Sequence, residues 1–494
     1  MKPQTTPNRE VVGRSGLMAS RFAAWDGYST QVESVLLFIL GVLVIVVGLA
    51  LSIGLHEIGH LVPAKLFGVK VTQYMIGFGP TLFSKKKGET EYGVKAIPLG
   101  GYIAMIGMFP PRNGEAVRSA STGFFDTLVQ EGEPDTTRTK KPSAAATMVD
   151  DARQASAESI GEGEDHRAFY RLPVFKRIII MLGGPLMNLL IAVVLFAVLL
   201  MGFGTAQATT TLGSVSECVL PATSDRQTCE ASDEAAPGAA GGLAPGDRLV
   251  SINGTTIETW EQSTEIIRTS AGETLSVVVV DRDGAEQSLT VTPKLTERYV
   301  LNDAGEPETD ASGASITEDV GFVGIGPASE TVPQPASAVL PAVGQTIGTT
   351  ANIILNLPQR LIDVATAAFG SGERDPNGPI SVVGVGRLAG EITSIDTIPV
   401  ADKVASMLGI LGSVNIALFV FNLVPLLPLD GGHVAGALFE GIRRFFAKLF
   451  KRPDPGPVDM AKLMPLTLAV VVLLGGMSLL LIYADIVKPI SVFG

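Results

Sequence analysis

Residues 35–61 read VLLFILGVLVIVVGLALSIGLHEIGHL, an apolar run that ends in a His-Glu-x-x-His motif. A helix needs about 20 apolar residues to cross a bilayer, so the run predicts a membrane span over 35–58. His56 and His60 are four residues apart and therefore lie on one face of a helix, where both imidazoles can bind one metal ion. Glu57 lies beside them as a candidate general base. The stretch predicts a water-activating metal site at the end of a membrane span.

The composition of the 494-residue chain is typical of membrane segments joined by polar loops. Hydrophobic residues make up 46% of the chain and charged residues 17%, below the roughly 25% of a soluble domain. The net charge of −12 argues against a nucleic acid partner, because nucleic acids bind basic surfaces. The two cysteines, Cys218 and Cys229, are too few for a disulfide scaffold or a cysteine-based zinc site.

Three further stretches are long and apolar enough to span a bilayer: 178–204, 406–427 and 464–484. The apolar core of the first span exceeds the roughly 7–15 residues of a signal peptide and is followed by no small-residue cleavage site, so we expect the chain to keep it. The stretch 338–369 is interrupted by Gly, Pro, Gln and Arg. There we expect amphipathic helix at or near the membrane surface.

The distribution of charge predicts which loops face the cytoplasm. Lys and Arg cluster near the two membrane ends of 67–177 and within 430–463, whereas 205–403 contains 27 Asp and Glu against 10 Lys and Arg. Because basic residues are enriched on the cytoplasmic side, the first two segments are predicted to be cytoplasmic and 205–403 extracytoplasmic. Cys218 and Cys229 then lie outside, where a disulfide can persist. A bridge and two unpaired thiols both remain open.

The predicted outside segment has the pattern of a small α+β domain. A Gly-Asp turn at 246–247 leads into the strand RLVSINGTTI at 248–257, a helix near 260–270, and two strands around the turn DRDG at 281–284. This order resembles a PDZ domain of the bacterial type, with VGFVGIGP at 320–327 as its closing strand. The resemblance implies that peptide ends bind here as an added strand. A purely structural β domain is the alternative.

A zinc hydrolase needs a third protein ligand besides two histidines, and an open position for water. Asp430, in NLVPLLPLDGGH at 422–433, is the best candidate. The first and third spans run in the same direction, so Asp430 lies at the same membrane side as the His-Glu-x-x-His motif. His433 is the alternative ligand. His166 lies beside the low-complexity stretch at about 112–165, and we expect it to be solvated and to bind no metal.

These residues predict peptide-bond hydrolysis at membrane depth. Zn²⁺ lowers the pKa of a bound water and polarises the scissile carbonyl, while Glu57 takes the proton and returns it to the leaving amine. A substrate helix must unwind first, because backbone hydrogen bonds hold its carbonyls. Gly and Pro in IPLGGYI (97–103) and LDGG (429–432) suit non-helical backbone held inside protein at membrane depth. Strands within 90–103 provide an edge for an unwound substrate.

Together these motifs resemble the site-2 protease family of intramembrane zinc metalloproteases, in its bacterial branch similar to the regulator-of-sigma-E protease. The resemblance covers about 35–105 and 170–490 and includes HEIGH, GFGP, IPLGGYI, GGPLMN, GPISVVG and NLVPLLPLDGG. It implies Glu57 as the catalytic acid/base and a set of three zinc ligands: His56, His60 and Asp430.

The resemblance also implies roles for two asparagines and a class of substrate. Asn188 in GGPLMN and Asn422 ahead of the Leu-Asp-Gly motif match family positions near the active site, in support of substrate or oxyanion. Hydrogen bonding between helices is an alternative for both. Family members cut single-span membrane proteins such as anti-sigma factors, often after another protease has cut, and some clear signal-peptide remnants. The implied location is the inner (cytoplasmic) membrane of a bacterium, with the active site towards the cytoplasmic side.

The predicted fold is a multi-pass α-helical membrane protein with four transmembrane helices, a membrane-associated β-hairpin region and an extracytoplasmic PDZ-like α+β domain. The insert is predicted to be disordered, because it contains too little apolar surface to bury, and its role is open. In chain order the predicted segments are a polar tail (1–34), the first span with its histidines (35–66), the membrane-associated β region (67–111), the disordered cytoplasmic insert (112–167), the second span (168–204), the PDZ domain (205–330), amphipathic helices with a Gly-Pro loop (331–405), the third span with the Leu-Asp-Gly motif (406–435), a basic cytoplasmic loop (436–463), and the fourth span with the C-terminus (464–494).

Two alternatives to an intramembrane endopeptidase fit parts of the pattern. A PDZ-bearing membrane adaptor with a vestigial metal site would be expected to have lost Glu57 or Asp430, and both are present. A zinc protease acting on soluble loops outside the membrane would need the reverse topology, against the positions of the basic loops. The sequence therefore favours the intramembrane protease.

Overall fold

The chain divides into two compact units, residues 1–202 with 335–494, and residues 203–334. Residues 1–14 of the predicted polar tail and residues 112–143 of the predicted insert lie outside the described residues. The structure, a computed structural model, describes residues 15–110, 144–220, 224, 228–230, 232–300, 307–308, 310, 315–370, 372, 374–375 and 378–490.

The first part of the larger unit contains the His-Glu-x-x-His motif within one long helix. The apolar run of the sequence continues without a break into the two histidines, so both belong to the same helix. The elements of this part are α1 (Ser15–Leu66), β1 (Val71–Lys87), β2 (Thr90–Met105), α2 (Ala144–Glu158) and α3 (Val174–Ala197), which continues as a π-helix to Phe203.

Strands β1 and β2 form a curled hairpin that packs against α1. Residues 71–76 pair with 101–105 on one side, residues 73–76 pair with 91–94 on the other, and residues 83–87 pair with 90–94. Gly77 has a φ of 94°, a backbone conformation that glycine adopts without strain and that allows the strand to bend. The curl brings the second strand beside α1 at the level of the metal site.

Helix Ala144–Glu158 corrects the prediction that all of 112–167 is disordered. Ala152 and Ser156 are buried, and the Ser156 hydroxyl hydrogen-bonds the backbone N–H and C=O of Phe109, both at 2.8 Å. Alanine has the highest helix propensity, and small side chains let a helix approach its neighbours closely. A low content of large apolar residues therefore did not prevent this segment from packing.

The smaller unit, residues 203–334, is an α+β domain with its core between a sheet and one helix. The buried positions of β6 alternate, as expected for a strand with one face in a core. The strand order of the main sheet is β10-β3-β4-β6-β7, β5 pairs with β4, and β8 pairs with β9. The elements are β3 (Thr205–Val215), α4 (Pro237–Ala240), β4 (Arg248–Ile252), β5 (Thr255–Thr256), α5 (Trp260–Thr269), β6 (Leu275–Val280), β7 (Glu286–Val291), β8 (Lys294–Tyr299), β9 (Thr317–Phe322) and β10 (Ile325–Val332).

The question left open about the cysteines has an answer in the structure. Cys218 and Cys229 are joined by a disulfide within the smaller unit. It closes a short loop, and the backbone of Cys218 also forms a β-bridge with Ala235. The cross-link and the bridge thus tie Cys218 to both Cys229 and Ala235.

The C-terminal part of the larger unit is helical. Its elements are α6 (Val339–Leu355), α7 (Leu357–Phe369), α8 (Val382–Ser394), α9 (Val400–Asn422), α10 (Asp430–Leu449) and α11 (Met464–Val487).

Among the described residues, five helices are long and apolar enough to cross a membrane, one more than predicted. The additional helix, Ala336–Leu355, lies in the stretch predicted to be amphipathic at the membrane surface. It contains no charged residue, and the first charge after it, Arg360, belongs to the next helix, which starts at Leu357. The five helices are Val32–Leu66, Val174–Phe203, Ala336–Leu355, Val400–Asn422 and Met460–Val487.

Candidate metal centre

The two histidines of the motif meet on one face of α1, as their spacing predicted. Nε2 of His56 and Nε2 of His60 are 3.2 Å apart. Their rings are nearly perpendicular, with centroids 4.8 Å apart. His60 is buried, and the side chain of His56 is 12% exposed. Both nitrogens therefore point into one largely enclosed space.

Asp430, the first residue of α10, brings the third side chain to this space. Its Oδ2 lies 3.3 Å from Nε2 of His56 and 3.4 Å from Nε2 of His60. This oxygen is buried, and no hydrogen-bond donor in the described part of the chain reaches it. Asp430 is more than three hundred residues away from the two histidines in the sequence. The fold brings the three side chains together.

The triangle of donor atoms fits a zinc ion. Tetrahedral zinc binds His nitrogen and carboxylate oxygen at about 2.0–2.2 Å, which places neighbouring ligand atoms about 3.4 Å apart. The three separations of 3.2, 3.3 and 3.4 Å lie close to that value. Three protein ligands leave the fourth tetrahedral position open, which is the arrangement of a catalytic zinc site.

Helix α3 supports the outer nitrogens of both histidines. Nδ1–H of His60 donates to the carbonyl of Ile180 at 2.7 Å, so Nε2 is the nitrogen left for a metal ion. The side-chain amide of Asn188 lies 3.1 Å from Nδ1 of His56 and is 1% exposed. When a metal ion occupies Nε2, His56 must carry its proton on Nδ1, and the amide then presents its oxygen as acceptor. Asn188 is therefore placed to orient His56.

Glycines make room for the site where α1 and α3 cross. A Cβ on Gly59 would lie 2.2 Å from the carbonyl oxygen of Gly183, so the two backbones are in contact. A Cβ on Gly184 would lie 2.2 Å from Nε2 of His60 and 2.7 Å from Nε2 of His56. The Gly-Gly pair of GGPLMN therefore leaves the volume that an ion between the histidines needs.

Glu57 of α1 lies beside the three clustered side chains and packs against β2. It is buried, and its carboxylate interacts electrostatically with both histidines and Asp430. Strand β2 approaches it closely, since a Cβ on Gly101 would lie 3.0 Å from its Cγ. Close approach of the strand thus fixes the carboxylate next to the metal ligands.

The other predicted candidates lie around this group or away from it. His433, one turn along α10, lines a small cavity with Arg177 and Glu440 and is not among the three clustered ligands. His166 is exposed, and its Nδ1–H donates to the carbonyl of Gly163 at 3.0 Å. Asn422 is the last residue of α9 and half-buried. The hydrogen bonds and ion pairs of the three ligands, within the described residues, do not include it.

The sequence interpretation missed a buried polar contact one turn before His56. Asn415 of α9 donates its amide to the Ser52 hydroxyl at 2.9 Å, and Ser52 in turn donates to the carbonyl of Gly48 at 3.0 Å. Both side chains are buried. The signal was available, because polar residues inside apolar spans usually face other helices.

Comparison with known proteins agrees with this geometry. The family model of peptidase family M50 matches residues 44–452. Zinc metalloprotease Rip1 of Mycobacterium tuberculosis is 32% identical over 461 residues, which cover 93% of this chain and 100% of the relative. Rip1 of Mycolicibacterium smegmatis is 30% identical over 473 residues, with 93% of this chain and 100% of the relative covered. Metalloprotease MmpA of Caulobacter vibrioides is 26% identical over 417 residues, covering 83% and 86%.

The family match extends over the histidine motif, the Gly-Gly pair of α3 and the Leu-Asp-Gly segment. The two Rip1 relatives are zinc metalloproteases and are covered over their full length. The chain therefore belongs to peptidase family M50, the site-2 protease family, and is a zinc metalloprotease.

Proposed function

We propose that this protein is an intramembrane endopeptidase that cleaves the membrane-spanning segments of single-span membrane proteins. The observation that carries the proposal is the position of the metal-binding side chains. His56 and His60 lie within a helix long and apolar enough to cross a membrane, and Asp430 follows another such helix, Val400–Asn422. A site built at membrane depth suits a scissile bond at the same depth.

In this proposal His56, His60 and Asp430 hold the zinc ion. Zinc in such a site supplies a Lewis acid that polarises a carbonyl and acidifies water. Glu57 accepts the proton of the attacking water and donates it to the leaving amine. Close approach of β2 at Gly101 holds the Glu57 side chain in place, and Asn188 and Ile180 keep the two imidazoles in the orientation in which Nε2 faces the ion. The packed helices restrict the entry of bulk water.

The proposed substrate enters as an extended segment, because a helical carbonyl is already hydrogen-bonded. Residues 101–105 form one edge of the curled sheet and lie beside Glu57. An unwound substrate that pairs with this edge would lie beside the catalytic carboxylate of Glu57. Gly100, with a φ of 116°, marks the bend at which this edge begins.

The proposed topology places the metal site towards the cytoplasmic side of a bacterial inner membrane and residues 203–334 outside. The excess of acidic residues in 205–403 and the basic residues of 430–463 support this orientation. The disulfide Cys218–Cys229 supports it too, since disulfides persist outside the cytoplasm. Anti-sigma-factor-like proteins and signal-peptide remnants, shortened by an earlier cleavage outside, are the substrates we propose.

We also propose that the smaller unit is a PDZ-like domain that binds peptide ends. A groove of about 350 Å³ lies between α5 and β9, lined by Trp260, Thr264 and Phe322 among others. Within the described residues β9 pairs with β8 alone, and its residues 320–322 line this groove. Thr264→Trp, which fills the groove, is expected to abolish binding of peptides by the full-length protein, whereas the exposed Thr255→Trp leaves it unchanged.

Cleavage of single-span reporter proteins by the purified full-length enzyme tests the main proposal. Each reporter is offered intact and with its outside portion removed, beside the same flanks without the apolar segment. The expected cut, located by mass spectrometry, falls inside the apolar segment and is absent with Glu57→Gln. Cuts confined to the soluble flanks would contradict the proposal. Cleavage of neither reporter form, despite bound zinc and a broad panel of segments, would favour the adaptor alternative.

A further inference from the structure

Helix α10 presents an exposed apolar stripe along one side. Its members lie at positions i, i+1, i+4, i+7, i+8 and i+11, which at 100° per residue share one face about 120° wide. Each side chain is about half exposed or more, although the helix is otherwise packed on the protein. The stripe consists of Leu438, Phe439, Ile442, Phe445, Phe446 and Leu449.

The opposite face of α10 is fixed to the larger unit, so the stripe cannot turn inward. Glu440 is fully buried, pairs with Arg177 of α3, and accepts the backbone N–H of Val458 at 2.9 Å. Ala437 on the same face is buried too. A buried carboxylate held by an arginine on another helix sets the rotation of α10 about its axis.

Basic side chains border the apolar stripe. At 100° per residue, Arg443 lies just beyond one side of the stripe and Lys448 just beyond the other. Lys451 and Arg452 follow directly after the end of the helix. Between 438 and 452 the one acidic residue is Glu440, which faces away and is already paired. An apolar face with basic edges is the pattern of a helix that lies in a membrane surface containing anionic lipid.

The position of α10 in the chain leads to the same partner. The helix connects Val400–Asn422 with Met460–Val487, two helices able to cross a membrane, so both of its ends lie near the same membrane surface. Its 20 residues extend about 30 Å, so a short connecting turn cannot cover the apolar stripe. The surface next to the ends of these two helices is the lipid leaflet.

We propose that α10 lies in the plane of an anionic lipid leaflet and that this seating holds Asp430 in the metal site. Asp430 is the first residue of α10. Cβ atoms on Gly431 and Gly432 would lie 2.4–2.6 Å from backbone atoms of the preceding turn at 423–427, so the start of the helix is packed directly on that turn. A shift of the helix axis would displace Asp430 from the histidines of α1. The second part of this inference rests on the proposed role of Asp430 as a ligand.

The depth of the stripe is the first test. The native cysteines are joined, so Phe446→Cys in the full-length protein accepts a single nitroxide label. In vesicles of phosphatidylcholine and phosphatidylglycerol, the label is expected to be relaxed by oxygen rather than by a water-soluble nickel chelate. Leu473→Cys, on an exposed apolar face of α11, and Glu261→Cys, on exposed α5, give the lipid and water references. A label as accessible to nickel as that at Glu261, or shielded from both reagents by another protein surface, would overturn the proposal.

Zinc release into a chelator tests the coupling to Asp430. Wild type is expected to release zinc about tenfold more slowly in vesicles with phosphatidylglycerol than in phosphatidylcholine alone, since each basic residue near an anionic surface adds attraction. The triple variant Lys448→Glu, Lys451→Glu, Arg452→Glu is expected to lose that difference. The equally charged change Lys85→Glu, Lys86→Glu, Lys87→Glu, in β1, is expected to keep it. Equal release in both lipids by wild type would refute the coupling, whereas a protein that binds no zinc in either lipid would refute the metal site itself.

Discussion

Gly184 of α3 faces the imidazole of His60 so closely that a Cβ on the glycine would lie 2.2 Å from Nε2. Real Cβ atoms do not approach a ring nitrogen to that distance, so a side chain here displaces either the ring or the helix. The space for an ion between the histidines of α1 is thus set by a residue on another helix.

We expect Gly184→Ala to lower zinc affinity at least tenfold, because the added methyl group occupies the space next to both imidazoles. Alanine is the better helix former by about 1 kcal/mol, so helix propensity alone would not weaken the protein. Zinc content of the purified variant, measured by mass spectrometry after dialysis against a chelator, checks this. Gly202→Ala is the matched control, since a Cβ there meets nothing within 4 Å. Full zinc retention by Gly184→Ala would refute the steric assignment.

Asn188 is expected to act on zinc through His56. Asn188→Leu, which removes the acceptor next to Nδ1, should weaken zinc binding about 10–100-fold. Asn188→Asp keeps an oxygen acceptor for the Nδ1–H and should restore most of the affinity. Competition with a zinc-sensitive chromophore measures both variants. If the two variants lose zinc equally, Asn188 serves the packing of α3 rather than the orientation of His56.

Glu57→Gln separates metal binding from chemistry. The amide cannot accept the proton of water, so reporter cleavage is expected to fall about 100-fold or more. Zinc content should stay at the wild-type level, because Glu57 is not one of the three clustered ligands. Cleavage rate and zinc content measured on the same preparation check the separation. Loss of zinc together with activity would assign Glu57 to the ligand set.

A buried ion pair ties the loop before α8 to α11. Arg374 and Asp485 are 4% and 3% exposed, and Asp485 also accepts the backbone N–H of Ser381 at 2.7 Å. Asp485→Ala leaves the arginine buried without its partner and is expected to cost about 3–5 kcal/mol of stability.

Thermal unfolding in detergent, followed by circular dichroism, measures the loss. Arg387→Ala breaks an ion pair with Glu391 on the more exposed surface of α8 and should change stability by less than about 1 kcal/mol. Equal effects of the two substitutions would show that burial of the Arg374–Asp485 pair has no special importance.

The sequence predicted which three side chains the fold brings together as a candidate metal centre, because the chemistry of metal binding restricts such residues strongly. Two histidines at helical spacing and one aspartate at the matching end of a parallel span identify a shared site without knowledge of packing. Four of the five helices that are long and apolar enough to cross a membrane were predicted for a similar reason, since length and apolar content depend on local sequence alone. Helix Ala336–Leu355 shows the limit of this reasoning, because the sequence does not show that the helix ends before Asn356 and Arg360.

Contacts that depend on the approach of distant elements could not be predicted. The contact between Gly59 and Gly183, the pairing of Ser52 with Asn415, and the acceptor role of Ile180 all require the crossing of α1 with α3 or α9. Helix Ala144–Glu158 was missed because its buried contacts are made by small residues, which contribute little apolar surface.

The most direct measurement is the zinc content and coordination of the purified full-length protein and two variants, Asp430→Ala and His433→Gln. We expect about one zinc ion per wild-type chain, bound at about 2.0–2.2 Å by nitrogen and oxygen atoms without sulfur, by X-ray absorption spectroscopy. Asp430→Ala should lose the metal, and His433→Gln should retain it with an unchanged spectrum. Zinc retained by Asp430→Ala and lost by His433→Gln would contradict the assignment of the three ligands on which the proposed protease site is built.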